Sequence, residues 1–415
     1  MSQKKNTILA ILFSIIILII TWSLIEGWVP FARRKWIFMA IGTGVASFYP
    51  KANFFYKSKQ FLWLIAYLLV LLVNMISGDR YFSNFGAVGF EFFALCFSAI
   101  VSSYALSSGD IRAIRIIVGT FLFVLVATAV MSFYIDAYIL PNAIRRMTGY
   151  SITLKDMSIV YQFYKMGLST YSFPHVLPVL IPPVIMGIKN KRLTKQEHLL
   201  CWILLGSLVL LIYLSGIMTS LLLAILAVSM AILTKEGDKR STILRISIVG
   251  VLLIPFLSPM IMTSILHSAK EAVGDGSYYY SKLDAFESSL TGDDDMEQGG
   301  DWEERKDLYA KSVDGLTSGI LIGTNQRVGG HSTLLDRFGV LGLVGIIPFI
   351  VFLIMHVSSS AKYMPFNCRI YYFEGFIIGL LMMTLKSVFK AEYCIVMLSI
   401  LPLLTYRFSE TNQQI

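Results

Sequence analysis

The chain has 415 residues, 56% of them hydrophobic and only 15% charged, with a mean hydropathy of +0.68. That excludes an ordinary water-soluble domain and a disordered chain alike. The net charge of +9 could suggest nucleic acid, but the basic residues are scattered over short connections between apolar runs. Such scatter sets membrane topology and leaves no nucleic-acid footprint.

In chain order, apolar runs of about the twenty residues a span needs fall near 8–28, 36–50, 61–77, 86–106, 113–134, 174–188, 199–215, 216–233, 244–264, 338–356, 370–386 and 391–407. The expected fold is an all-α polytopic integral membrane protein with twelve transmembrane helices, both termini cytoplasmic. The first run follows the basic "MSQKK", lacks an A-x-A cleavage pattern and reads as a retained span. The second and sixth runs are marginal. With the N-terminus inside, "KANFFYKSKQ", "GDIRAIR", "KNKRLTKQEH", "KEGDKR" and "AKYMPFNCR" all fall in the cytoplasm, as the positive-inside rule asks. Only "FARRK", residues 31–35, offends.

The chain then divides into helices 1–5 over 1–134, an extracytoplasmic loop over 135–173, helices 6–9 over 174–264, a long acidic extracytoplasmic loop over 265–337, and helices 10–12 with a cytoplasmic tail over 338–415. The first loop has a net charge of +2; the second holds fourteen of the 26 acidic residues against seven Lys and Arg, a net of −7. Long outer loops are where such a protein can shape a pocket. No sequence repeat is visible, nor a matching pair of Gly/Pro-broken spans of the kind many transporters show. Two ionisable residues stand out inside the runs, Glu91 and Lys386. Each would cost roughly 2.5–3.5 kcal/mol near a helix centre, so Glu91 needs a partner or a wet cavity and Lys386 can snorkel outward. The four cysteines, none of them in a long loop, give no disulfide framework or zinc site.

In the first loop, "PNAIRRMTGY" sets Arg145 and Arg146 beside a Gly turn, where guanidinium forks suit phosphate oxygens or lipid headgroups. "MGLSTYSFPHVLPVLIPP" carries four prolines and His175, which predicts a bent helix with a structural histidine. In the second loop, "GDDDMEQGGDWEER" departs from a calcium loop at Gln298, where glycine is required, and reads as a solvated acidic flap. Arg305, Lys306, Lys311 and Arg327 break through that acidic surface.

"GTNQRVGGHSTLLDRFG", residues 323–339, is not a nucleotide cradle, because no Lys follows the glycines. Thr333 and Asp336 read as a capping box ahead of the next apolar run, which puts His331 just before a helix N-terminus. Free backbone N–H groups there favour an anion such as a phosphate, and a histidine can exchange a proton near neutral pH. The alternative is a histidine that only hydrogen-bonds within its loop.

Taken in order, these pieces resemble the bacterial Wzy-type polysaccharide polymerases and the related O-antigen ligases. Arg146-Met-Thr-Gly149 resembles that family's Arg-x-x-Gly, followed by the similar apolar segment 166–182. Glu304-Arg305, Tyr309-Ala310, Gly323, His331-Ser332 and "FGVLGLVG" resemble its ordered Arg, Gly, His-Ser and Gly-x-x-Gly set. The chain departs from the family at "LSGIMTS", residues 214–220, which lacks the usual arginine.

The resemblance implies a metal-independent, inverting glycosyltransferase that needs no cofactor. It would polymerise oligosaccharide units carried on undecaprenyl pyrophosphate at the outer face of the bacterial cytoplasmic membrane. Donor and acceptor would both be lipid-linked; the bilayer, and the flippase and chain-length regulator of the same pathway, are the implied partners, with no nucleic acid. His331 would be the general base, and Arg305 with Arg146 would hold the donor pyrophosphate. Arg145, Arg327, Arg80 and Lys390 would be further substrate contacts, the last two as replacements for the missing arginine. A ligase would use the same residues. A flippase would instead need charge facing a cavity inside the spans.

Overall fold

The computed structural model describes residues 2–76, 84–150, 157–234, 300–324 and 328–409, with residues 267, 268, 270, 271, 280, 283, 284 and 287. Among the described residues the chain is helical, without strands. In order come α1 (Ser2–Thr21), α2 (Ser23–Trp28), α3 (Lys35–Ala46), α4 (Pro50–Tyr56), α5 (Lys59–Ile76), α6 (Phe85–Ser108), α7 (Ile111–Tyr138), α8 (Ala143–Tyr150) and α9 (Met157–Lys165). They are followed by α10 (Phe173–Lys189), α11 (Lys195–Leu214), α12 (Met218–Leu233), α13 (Gly300–Ser318), α14 (Thr333–Ala361), α15 (Arg369–Leu385) and α16 (Ala391–Ser409).

Seven of these helices are long and apolar enough to cross a membrane, and four shorter ones are apolar. Together they coincide with eleven of the twelve apolar runs; the run at 244–264 lies outside the described residues. The seven spans make this a helical protein suited to a bilayer. Its outward faces agree: Ile8, Ile11 and Ile15 on α1, and Leu62, Leu69 and Val73 on α5, are each about half or more exposed. At these spacings they share a helix face, as contact with lipid tails requires.

Local signals explain many boundaries. The Asn84 side chain accepts from Ala87 N–H at 2.9 Å to start α6, and Gly109 ends it at φ +61°. Asp110 then caps α7. Thr194 and Glu197 form a capping box on α11. The prolines of α10 tighten Leu177–Leu180 into 3-10 turns, which is the expected bend.

Helix α16 is the axis of the bundle, with 89% of its span buried, whereas α5 at 28% is peripheral. Helices α6 and α10 pack on α16, α14 packs on α5, and both α1 and α11 pack on α7. The first hairpin differs from its sequence reading. The run at 8–28 is broken at Trp22, and α2 turns aside to pack on α9. There the Trp28 indole donates to Lys165 O at 3.1 Å and Ser23 Oγ donates to Leu168 O at 2.5 Å.

The hairpin's position explains two of the three charges that offend the positive-inside rule. Lys35 is held between Glu26, at 3.3 Å, and Glu392, while the Arg33 guanidinium lies 3.4 Å over the Tyr161 ring. They are partnered groups at a crowded helix end, not free topology charges.

Candidate functional site

A cavity of about 630 Å³ opens at the end of the bundle where these segments meet. Each wall comes from a different part of the chain. Glu26 and Lys35 belong to the first hairpin, Ala87, Phe90 and Glu91 to the foot of α6, Met147 and Tyr164 to α8 and α9, and Phe389 to Glu392 to the foot of α16. Thr170, Tyr171 and Ser172 complete it. Burial, with Glu26 and Tyr161 nearby, holds the Tyr164 phenol above its ordinary range, so it stays protonated and can donate.

The three carboxylates of the wall are matched by cations. Glu26 and Glu392 share Lys35. Glu91 accepts from Arg337 Nη2 at 2.8 Å and from Arg337 Nε at 2.9 Å, a two-point fork. Tyr67 donates its hydroxyl to the same carboxylate and accepts from Arg337 Nε at 3.2 Å. Arg337 Nη1 donates to Thr333 O at 3.2 Å, and its guanidinium lies 4.1 Å from the centre of the Phe389 ring. The Arg337 and Glu91 side chains are only 3% and 6% exposed. An ion pair so deep is tolerated only when its remaining hydrogen-bonding groups are also met, and here they are.

Residues 328–339 build the foot that carries Arg337. Ser332, not Thr333, is the N-cap: its hydroxyl accepts from Leu335 N–H at 3.1 Å. Thr333 instead joins the foot to the segment after α15. Its N–H and its hydroxyl each donate to Lys386 O at 3.1 Å, and its hydroxyl accepts from Val388 N–H at 2.9 Å.

The anion that the foot favours is the chain's own. The Asp336 carboxylate accepts from Gly330 N–H at 3.1 Å, Ser332 N–H at 3.2 Å and the Ser312 hydroxyl at 2.6 Å. The adjacent glycines, at φ +41° and +95°, let the loop curl around that carboxylate. A phosphate in this cradle would have to displace Asp336, so the expected helix-foot phosphate site gives way to an internal one.

Gly342 breaks α14 at φ +62°, and Gly323, at φ +78°, abuts it. A Cβ on Gly323 would lie 2.1 Å from Val340 O, and one on Gly342 would lie 2.4 Å from Gly323 N. These two glycines are a backbone-to-backbone contact.

The predicted site residues divide accordingly. Lys390 lines the cavity, and among the described residues it is the lining cation without a carboxylate partner. Arg145 reaches the wall indirectly, donating from Nη1 to the Tyr171 hydroxyl at 2.7 Å. Arg146 is exposed on α8, one residue before the lining Met147. His331 is half-buried on the loop before α14 and is not among the lining residues. Arg305 falls on α13; its side chain, and Arg80 and Arg327 entirely, lie outside the described residues.

His175 is buried, its Nδ1 3.0 Å from Tyr171 O, which fits a structural role. Arg337 and Lys35 were the misses. The signal was available for Arg337: a buried Glu91 demands a cation. Glu374 and His356, both fully buried within spans, were also passed over. Among the described residues no group of three or more His, Cys, Asp or Glu is placed to hold a metal ion. No family model matches the chain, and no curated protein is significantly similar to it.

Proposed function

We propose that the protein is a membrane glycosyltransferase joining oligosaccharide units carried on undecaprenyl pyrophosphate, working in the cavity between the first hairpin, α6, α9 and α16. The observation that carries this reading is the charge pattern of the cavity. Its carboxylates are already partnered, while Lys390 lines the wall without one and Arg145 stands behind Tyr171. A volume of about 630 Å³ lies within the usual range for small-molecule sites and suits a pyrophosphate with its first sugar.

In the reaction the acceptor hydroxyl oxygen forms the new bond to the donor's anomeric carbon, whose bond to the phosphate oxygen breaks. The pyrophosphate leaves with the electron pair, and preorganised cations stabilise that charge. The acceptor's proton goes to a nearby base. His331, on the loop ahead of α14, and Glu26, in the cavity wall, are the two groups to test for that role. On this reading the chain crosses twelve times with both termini in the cytoplasm, and the cavity opens at the outer face of a bacterial cytoplasmic membrane.

A flippase for the same lipid is the second reading, because Glu91, within an apolar run, brings a charge to the cavity wall, where Arg337 pairs with it from the foot of α14. Protein purified into liposomes with one lipid-linked repeat unit separates the readings. A ladder of products supports polymerisation, a single transfer to another acceptor supports a ligase, and translocation without a new bond supports a flippase. If no ladder forms with active lipid-linked substrate, the polymerase reading fails.

A further inference from the structure

The connection between α13 and α14 carries a feature that none of the chemistry above uses. Ile320, Leu321 and Ile322 stand in a row, 53%, 65% and 71% exposed. Three adjacent large aliphatic side chains are out of place on a hydrated turn, which is ordinarily built from polar and turn-forming residues.

The backbone fixes what these residues adjoin. Leu343 N–H donates to Ile320 O at 2.8 Å, and Val344 N–H donates to Leu321 O at 3.0 Å. These are the first N–H groups after the break at Gly342. Val344 and Ile347, 60% and 48% exposed, begin the outward apolar face of the rest of α14. The triplet is therefore continuous with a surface that faces lipid tails if α14 crosses the bilayer.

Length places the boundary at the same spot. Residues 343–361 span about 28 Å at 1.5 Å per residue, close to the ~30 Å hydrocarbon core of a bilayer. The neighbouring α15, with 17 residues, runs about 25 Å by the same rise. The helix thus has its full crossing length after Gly342, and the foot that holds Arg337 is additional.

Irregular backbone is tolerated in hydrocarbon only when its polar groups are met by the protein. The turn fulfils that condition at four places: the Ile320 and Leu321 carbonyls accept from α14, Gly323 N–H donates to Gly319 O at 2.7 Å, and Thr324 N–H donates to Gly339 O at 2.9 Å.

We infer that the turn Gly319–Thr324 is inserted into the lipid leaflet, with Ile320, Leu321 and Ile322 against acyl chains where α14 begins its crossing. It pins α13 and the loop carrying His331 to the leaflet. The inference is independent of the glycosyltransferase reading.

A nitroxide at Leu321→Cys, in the full-length protein reconstituted into phosphatidylcholine and phosphatidylglycerol liposomes, tests it. The four native cysteines are buried, so labelling is directed to the new site. Ile347→Cys serves as the lipid-facing reference and Thr317→Cys, exposed on α13, as the aqueous one. The expected result is that position 321 collides with oxygen in preference to a water-soluble nickel chelate, as position 347 does, while position 317 shows the reverse order. Preference for the nickel chelate at 321 would overturn the inference. So would poor access to both reagents, which would mean that protein covers the triplet, or failure of position 347 to report lipid.

Discussion

Arg337 and Glu91 illustrate how much a single buried pair can decide. Each meets the other's charge in a setting that shields neither with water, so removing one partner strands the second. Arg337→Ala is expected to cost about 3–5 kcal/mol, whereas replacing both members with apolar residues of similar size should recover much of that loss. Thermal unfolding of Arg337→Met, Glu91→Leu and the double variant in one detergent would measure the coupling. Additive losses would show that the pair contributes nothing beyond its separate parts.

Lys390 is the opposite case. It is exposed and, among the described residues, has no carboxylate to lose, so Lys390→Ala should leave the unfolding temperature nearly unchanged. If it holds the leaving pyrophosphate, the variant should slow transfer by about 100-fold, the usual effect of removing one charge-stabilising donor. A rate within a fewfold of the parent would remove Lys390 from the site. Lys390 is readable in the sequence as a cation at the end of an apolar run. Lys35 is not, because hydropathy and charge counting see it only as a topology anomaly. Its meaning depends on Glu392, more than three hundred residues away, and no local pattern encodes that.

At the scale of elements, the apolar runs were readable because burial in lipid imposes length and composition directly. The bend at the prolines of α10 was readable for the same local reason, whereas the capping box expected at Thr333 and Asp336 is replaced by a Ser332 cap. The break in α14 was not readable. "FGVLGLVG" satisfies helical periodicity, and Gly342 leaves it only because the turn at 320–324 takes over the exposed N–H groups. This makes the contact between Gly323 and Gly342 sensitive to one carbon atom. Gly342→Ala would place a Cβ 2.4 Å from Gly323 N at a φ of +62°. Strain of about 1–3 kcal/mol at such a residue, added to the clash, should release the turn or straighten the helix. Limited proteolysis between α13 and α14 would detect it, with faster cleavage expected in the variant; equal rates would mean that the contact is easily replaced.

At the scale of the whole molecule, the two ends of the bundle differ in kind. One end gathers the cavity, the partnered charges of Lys35 and Arg33, and the feet of α6, α14 and α16. The other carries the basic connections among the described residues, with Lys189 donating to the carbonyls of Ala231 and Ile232 at 2.7 and 2.6 Å to close the end of α12, and Arg407 paired with Glu197. Cations at helix C-termini meet exposed carbonyls, and the same cations bias that end toward the cytoplasm. With Arg33 and Lys35 accounted for by their partners, Arg34 is the one cation of the first hairpin that still argues against this orientation. Single cysteines can decide it in intact cells, because the native four are buried. Arg146→Cys, at the cavity end, should react with a membrane-impermeant maleimide before lysis, whereas Lys57→Cys and Lys191→Cys should react only after it. The reverse pattern would open the cavity to the cytoplasm and would be incompatible with glycan assembly at the outer face. Labelling of all three before lysis would show that the basic end is not cytoplasmic, which would overturn the positive-inside assignment itself.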